Sequence, residues 1–145
     1  MRGCLEAVVL SELLPRSSLL VTLTLLSADG SARAAALNAA LLALADAGVP
    51  LRDTCGAACA ALLDGCPCVD PSRAEEGQGV SQLCLALLPA TQTLPLLLQE
   101  GARCSLEALP RLLEAAQQGA QATAAFMRRT LVDRAKARAA AMHVC

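Results

Sequence analysis

Between Ala28 and Pro50 the chain carries a segment, ADGSARAAALNAALLALADAGVP, with a marked start, a marked stop and one structural period in between. Ala28-Asp29-Gly30 breaks any extended structure that precedes it, and Ser31 is a residue type that caps helices. Leu37, Leu41, Leu44 and Ala45 then recur on one helical face. Gly48 supplies a left-handed stop, and Pro50, lacking an amide hydrogen, prevents continuation. Upstream, Ser18–Ser27 contains the alternating run Val21-Thr22-Leu23-Thr24-Leu25, which predicts a strand. A strand, a turn and a helix are thus expected in direct succession.

The remainder alternates strands and helices irregularly. Residues 2–13, with Leu5, Val8, Val9 and Leu13, predict a helix that ends before Pro15. A strand is expected over Thr54–Leu63, a tight turn at Asp64-Gly65 and a returning strand over Cys66–Val69. Asp70–Gly79 is polar and predicts a loop with one helical turn. Val80–Leu88 and Thr93–Leu98 predict an antiparallel pair around Pro89–Gln92. From Ser105 to about Ala141 a long helix is expected, its buried stripe formed by Leu106, Leu109, Leu113, Ala116, Ala120, Thr123, Met127 and Leu131. Pro110 either shifts its start or kinks it. This pattern favours an α+β fold over a strictly alternating parallel sheet.

Ala and Leu must build the interior, because 55% of the 145 residues are apolar yet there is one Phe and no Trp or Tyr. Such side chains fill a core only where helices and strands approach closely. The same scarcity of aromatics argues against base stacking as a binding mechanism. A net charge of −1 supplies no global field for nucleic acid or an anionic membrane. No run reaches the roughly 18 uncharged apolar residues of a membrane span. Glu6, Glu12 and Arg16 interrupt the first apolar segment, so a signal peptide is not expected; the chain reads as soluble and intracellular.

Eight cysteines, Cys4, Cys55, Cys59, Cys66, Cys68, Cys84, Cys104 and Cys145, raise the question of a metal or a disulfide framework. The tightest group, Cys66-Pro-Cys68, has no second CxxC partner, and the sole histidine is His143. Reduced cysteines acting as small hydrophobes are expected, with no bound metal.

A few residues could carry chemistry. Arg33 falls in the first turn of the helix that opens at Ser31, where free N–H groups and the helix dipole favour a phosphate; an exposed solubilising cation is the plainer alternative. Asp70, Glu75 and Glu76 gather in the polar loop and could hold Mg²⁺ or act as acid and base, or simply be solvated. Asp46 and Asp53 flank the Gly48–Pro50 stop as turn residues. Arg128, Arg129, Arg134, Lys136 and Arg138 near the end of the long helix complement its dipole, an RNA-contacting patch being the alternative. A serine or cysteine triad, a P-loop and a dinucleotide fingerprint do not occur.

The segment Ala28-Asp29-Gly30-Ser31-Ala32-Arg33-Ala34-Ala35-Ala36-Leu37-Asn38-Ala39-Ala40, running on through LLALADAGVPLRD to Asp53, resembles the RNase PH family. Its members carry an Ala-Asp-Gly-Gly-Thr-Arg segment, an Ala/Asn-rich helix and an Asp-Ala-Gly-Ile/Val-Pro turn. Glu6-Ala7-Val8-Val9-Leu10, Leu14-Pro15-Arg16-Ser17-Ser18 and Val69-Asp70-Pro71-Ser72 followed by Glu75-Glu76 extend the resemblance from about Leu5 to Arg134. It implies an RNase PH-like (ribosomal protein S5 domain 2-like) α+β fold, with a mixed sheet packed against helices. Residues 1–141 would form a partial domain with its N-terminal part missing, and 142–145 a C-terminal tail.

In phosphorolytic members of that family, the Thr-Arg pair binds the attacking phosphate and two acids six residues apart flank the scissile bond. Ala32 here replaces the threonine, Arg33 is kept, and Ser31 remains a further candidate phosphate or RNA ligand. Asp70 matches the first acid and Glu76 stands for the second, usually Asp. The resemblance therefore implies an eroded site with Asp70 and Glu76 as vestigial catalytic residues. It implies a non-catalytic structural subunit of an RNA exosome ring, supporting 3′–5′ RNA processing and degradation, ribosomal RNA maturation included. It requires no cofactor. Implied partners are other RNase PH-like ring subunits, cap subunits and RNA, not a membrane; implied locations are nucleus, nucleolus and cytoplasm. A residual phosphate-dependent exoribonuclease and an Ala/Leu-rich interaction domain without an RNA role are the alternatives.

Overall fold

Asp64 and Gly65 both adopt positive φ, 49° and 78°. That is what a two-residue hairpin of matching twist demands, and it folds the chain back so that Leu63 pairs with Cys66. The hairpin is the seed of a four-stranded sheet in the computed structural model, which describes residues 1–142. The strands are β1 (Gly56–Leu63), β2 (Cys66–Val69), β3 (Ser81–Leu88) and β4 (Thr93–Gly101), in spatial order β2-β1-β3-β4. Four helices accompany them: α1 (Arg2–Val8), α2 (Ala32–Asp46), the single turn α3 (Arg73–Glu76) and α4 (Leu109–Met142). The fold is α+β, as expected. Among the described residues every strand pairing is antiparallel, where a mixed sheet was expected.

Alternation divides the sheet into two packed faces. Ala57, Cys59, Cys84, Ala86 and Leu88 pack with Cys4, Val8, Ala34, Leu37 and Leu41 of α1 and α2. Ala58, Ala60, Leu83, Leu85 and Leu87 pack with Leu112, Ala116 and Ala120 of α4. A sheet covered on both sides explains why β1 is buried from Gly56 to Ala61. The small residues do let the layers approach closely: a Cβ on Gly56 would lie 2.3 Å from the Ala120 carbonyl oxygen.

Three expected elements differ. Ser18–Ser27 is not a strand. Among the described residues it has no ladder partner, and Leu20 and Leu26 are 90% and 93% exposed. An alternating sequence supplies a strand's faces, but only a neighbouring strand can satisfy its backbone. The helix expected over 2–13 stops at Val8, followed by a short 3₁₀ turn at Ser11–Leu13. Val9 instead bridges Leu51, with the Arg52 N–H donating to the Val8 carbonyl (2.9 Å) and the Leu10 N–H to that of Pro50 (3.0 Å). Tertiary pairing overrode the helical period.

The long helix starts at Leu109, because the Ala108 and Leu109 N–H groups close a turn on the Ser105 carbonyl. Pro110 sits harmlessly in its first turn, where no intrahelical donor is needed. Its buried stripe is Leu112, Ala116, Ala120, Ala124 and Met127; Leu106 precedes the helix and is exposed. Of the tail expected at 142–145, residues 143–145, with His143 and Cys145, lie outside the described residues.

Candidate functional site

Gly30 adopts φ +103° and packs so tightly on the start of α3 that a Cβ there would lie 2.2 Å from the Pro71 carbonyl oxygen. Only glycine fits both demands. This contact zips the loop before α2 onto the loop after β2. The Arg73 N–H donates to the Asp29 carbonyl (2.8 Å), the Ser31 hydroxyl to that of Pro71 (3.4 Å), and the Ser31 N–H to Glu76 Oε1 (2.8 Å). Ser31, with φ 48°, occupies the N-cap position of α2 but makes no side-chain cap; its hydroxyl serves the neighbouring loop instead. The capping role expected of it is not played.

Two cavities meet at this junction, with Ser31 and Cys59 lining both. The larger, about 550 Å³, is bordered by Asp29, Asn38, Asp70, Ser72 and Thr123 among others. The smaller, about 210 Å³, is bordered by Arg33, Glu76, Cys84 and Glu100. Asp70 and Glu76, the two acids expected side by side, therefore line different cavities. Asp70 sits at the end of β2 with φ 60°, while α3 turns Glu76 toward the start of α2.

Electrostatics disfavour an anion here. Arg33 is ion-paired with Glu100, whose hydrogen bond raises the arginine pKa further. Glu76 already occupies the N–H that a phosphate would use at the helix start. The two cavities together present Asp29, Asp70, Glu76 and Glu100 against Arg33 alone: four carboxylates and one guanidinium. Glu75, grouped with the acids in sequence, is structural. The Ser72 N–H and hydroxyl both donate to its Oε2, at 2.7 and 2.8 Å, closing a capping box around α3 and holding its carboxyl below the ordinary value.

Neither Asn38 nor Glu100, nor Cys59 and Cys84 on the cavity walls, stands out in the sequence as a residue of this site. The Asn38 amide accepts from the Ala57 N–H (2.8 Å) and donates to the Ala57 carbonyl (2.9 Å), tying α2 to the start of β1 as a strand neighbour would. A lone amide in an Ala/Leu helix was the available signal. Glu100 had none, since its partner is 67 residues away in sequence (100 − 33). The basic end of α4 is remote from both cavities; there Arg138 pairs with Asp46 at 3.1 Å, so Asp46 is more than a turn residue.

A model of the 3′ exoribonuclease family, RNase PH domain 1, matches residues 1–50. Exosome complex component RRP41 of Homo sapiens is 43% identical over 92% of this chain and 52% of its own length. The RRP41 homolog of Arabidopsis thaliana is 36% identical over 93% of this chain and 56% of its own. Among solved structures, rice (Oryza sativa) Rrp46 superposes with a TM-score of 0.66 and 30% identity, covering 73% of this chain and 50% of that one. In sequence, Glu6–Leu10 leading to Leu14–Ser18, the Asp29-Gly30-Ser31 turn and Val69–Ser72 followed by Glu75-Glu76 resemble Rrp46, ribosomal RNA-processing protein 46, whereas the sequence relatives above are RRP41. The chain spans about half the length of the curated relatives it matches.

Proposed function

The chain is RNase PH-like, and from that premise we propose that it serves as a structural, non-phosphorolytic subunit of an exosome ring. The observation that carries this reading is the 2.8 Å hydrogen bond from the Ser31 N–H to Glu76. A phosphorolytic site must hold inorganic phosphate where positive potential is greatest; in this chain its own carboxylate fills that position. Arg33, the remaining phosphate ligand of the family motif, is neutralised by Glu100. Ala32 offers no hydroxyl in place of the threonine, and Asp70 and Glu76 border different, adjoining cavities, with Glu76 engaged by the Ser31 N–H.

Assembly is supported by a different feature. Leu19, Leu20, Leu23, Leu25 and Leu26 are all exposed within one uncharged segment, a concentration that solitary soluble domains avoid. In this reading the chain works among other RNase PH-like ring subunits and cap subunits, around RNA, in nucleus, nucleolus and cytoplasm. RNA degradation would then be the work of another component. The test is to supply RNA with a free 3′ end and inorganic phosphate to the purified protein, alone and with its ring partners. No phosphate-dependent release of nucleoside diphosphates attributable to this chain is expected, and Ala32→Thr should remain silent. Release that is lost on Asp70→Ala would overturn the proposal.

A further inference from the structure

The smaller cavity has a floor that the ring-subunit reading does not use. Cys59 on β1 and Cys84 on β3 are directly opposed in the antiparallel register, and both thiols are free. Opposed residues of an antiparallel pair have Cα atoms roughly 4.5 or 5.5 Å apart. Both values fall inside the window of about 4.4–6.8 Å that a disulfide accepts. Each side chain is nearly buried, 8% and 6% exposed, yet both line the 210 Å³ cavity, which leads from Arg33 and Glu100 down to the sheet. Cys4 and Cys55, a second close pair, are 2% and 1% exposed and border neither cavity at the junction.

The surroundings also distinguish the two sulfurs. The dominant influence on each is the other. Cys84 hydrogen-bonding lowers the Cys59 pKa, with help from the Ala34 N–H at the start of α2 and from the Ser31 side chain. The same interaction and burial push Cys84 upward. Cys59, which borders both cavities, is the more approachable attacking thiol, and Cys84, which borders only the smaller, is the resolving one.

We propose that Cys59 and Cys84 are a peroxide-responsive dithiol whose oxidation locks β1 to β3 beneath the α2 start. The Cys59 thiolate attacks one peroxide oxygen; the O–O bond breaks, a sulfenic acid forms, and the departing hydroxide takes a proton to become water. The Cys84 thiol then attacks the sulfenic sulfur. The S–O bond breaks, the S–S bond forms, and the leaving hydroxide departs as water with the proton from Cys84. One peroxide is reduced to two waters for each disulfide made. Because Cys59 and Ser31 line the same two cavities, forming the bond should disturb the loop that holds Glu76.

The full chain, treated with hydrogen peroxide and digested under non-reducing conditions, tests this. A linked peptide pair containing Cys59 and Cys84 is expected, formed before any linkage through Cys4 or Cys55. The oxidised protein should melt roughly 5–10 °C higher, since the cross-link restricts the unfolded chain. It should also show altered amide exchange at residues 29–35 and 72–76. In Cys84→Ala the linkage should vanish, and Cys59 should be trapped as a sulfenic acid by a 1,3-diketone. Free thiols at Cys59 and Cys84 in peroxide-treated, folded wild-type protein would overturn the proposal, as would earlier oxidation of Cys4 or Cys55. The wild-type mapping decides the matter even if Cys84→Ala fails to fold.

Discussion

The Ser31 N–H donates to Glu76 Oε1 at 2.8 Å across 45 positions of sequence, so the anion position at the start of α2 is held by the chain's own carboxylate. Arg33, two residues further on, is paired to Glu100, so both polar groups at the start of α2 meet a carboxylate of the chain itself.

Removing both carboxylate charges should partly reopen the site. Glu76→Gln combined with Glu100→Gln takes the junction from a net −3 to −1, counting Asp29, Asp70, Glu76, Glu100 and Arg33. Phosphate affinity, read as ligand-dependent thermal stabilisation, should rise roughly tenfold. An unchanged phosphate response would mean that Glu76 does not guard the helix start.

Gly30→Ala should be among the most damaging single changes in the chain. Its Cβ would meet the Pro71 carbonyl at 2.2 Å, and its φ of +103° is foreign to alanine. A loss of about 2–4 kcal/mol in denaturant unfolding is expected. Gly48→Ala, also at positive φ but with open space around it, should cost only about 1 kcal/mol. Equal losses at the two sites would refute the role assigned to loop–loop contact.

Ser81 is 4% exposed and its hydroxyl has no hydrogen-bond partner among the described residues. Ser81→Ala removes an unsatisfied buried group and should raise stability by about 1 kcal/mol. A clear destabilisation would reveal a partner for the hydroxyl.

Leu20→Lys with Leu26→Lys should leave the unfolding free energy within about 0.5 kcal/mol of the parent, since both side chains stand in solvent. The same change should suppress self-association, followed by light scattering, because it charges the exposed apolar segment. Cooperative unfolding lost in the double variant would show that the segment packs more than its exposure indicates.

Acid should loosen α3 through Glu75. Its carboxyl lies below the ordinary value because Ser72 hydrogen bonds favour the charged form. The sign follows: this stabilisation is fully present above the ordinary carboxylate range and is lost as pH falls through the lowered folded value. Glu75→Gln should therefore flatten the response of the 70–79 loop, followed by amide exchange, below about pH 4.5. An unaltered acid response in the variant would remove Glu75 from the account.

Most elements could be read from short stretches of sequence. Asp64-Gly65 dictates its own turn, Gly48 its left-handed stop, and Ser72 with Glu75 encloses α3 in its own cap. The Ala116–Ala120–Met127 spacing announces the buried side of α4, although the stripe centres one residue away, on Leu112 and Ala124. The family motif from Ala28 to Asp53 pointed to the fold and to Ser31 and Arg33 at the junction, but not to Glu100 or the thiols beneath it. Each of these signals acts within a few residues, through backbone conformation, capping or helical period, and needs no knowledge of what lies across the core.

What the tertiary structure alone decided lies at long separation. Val9 left its helix because Leu51 came alongside, and Ser18–Ser27 gained no ladder because no described strand lies beside it. Arg33 met Glu100, Glu76 met Ser31, and Cys59 came to face Cys84 only when β1, β3 and β4 closed into one sheet beneath α2. An amino-acid sequence specifies which groups carry charge, donors or thiols. Which of them pair with one another depends on distances of a few ångströms that chain closure sets, and there the Ser31 N–H met Glu76 and Arg33 met Glu100.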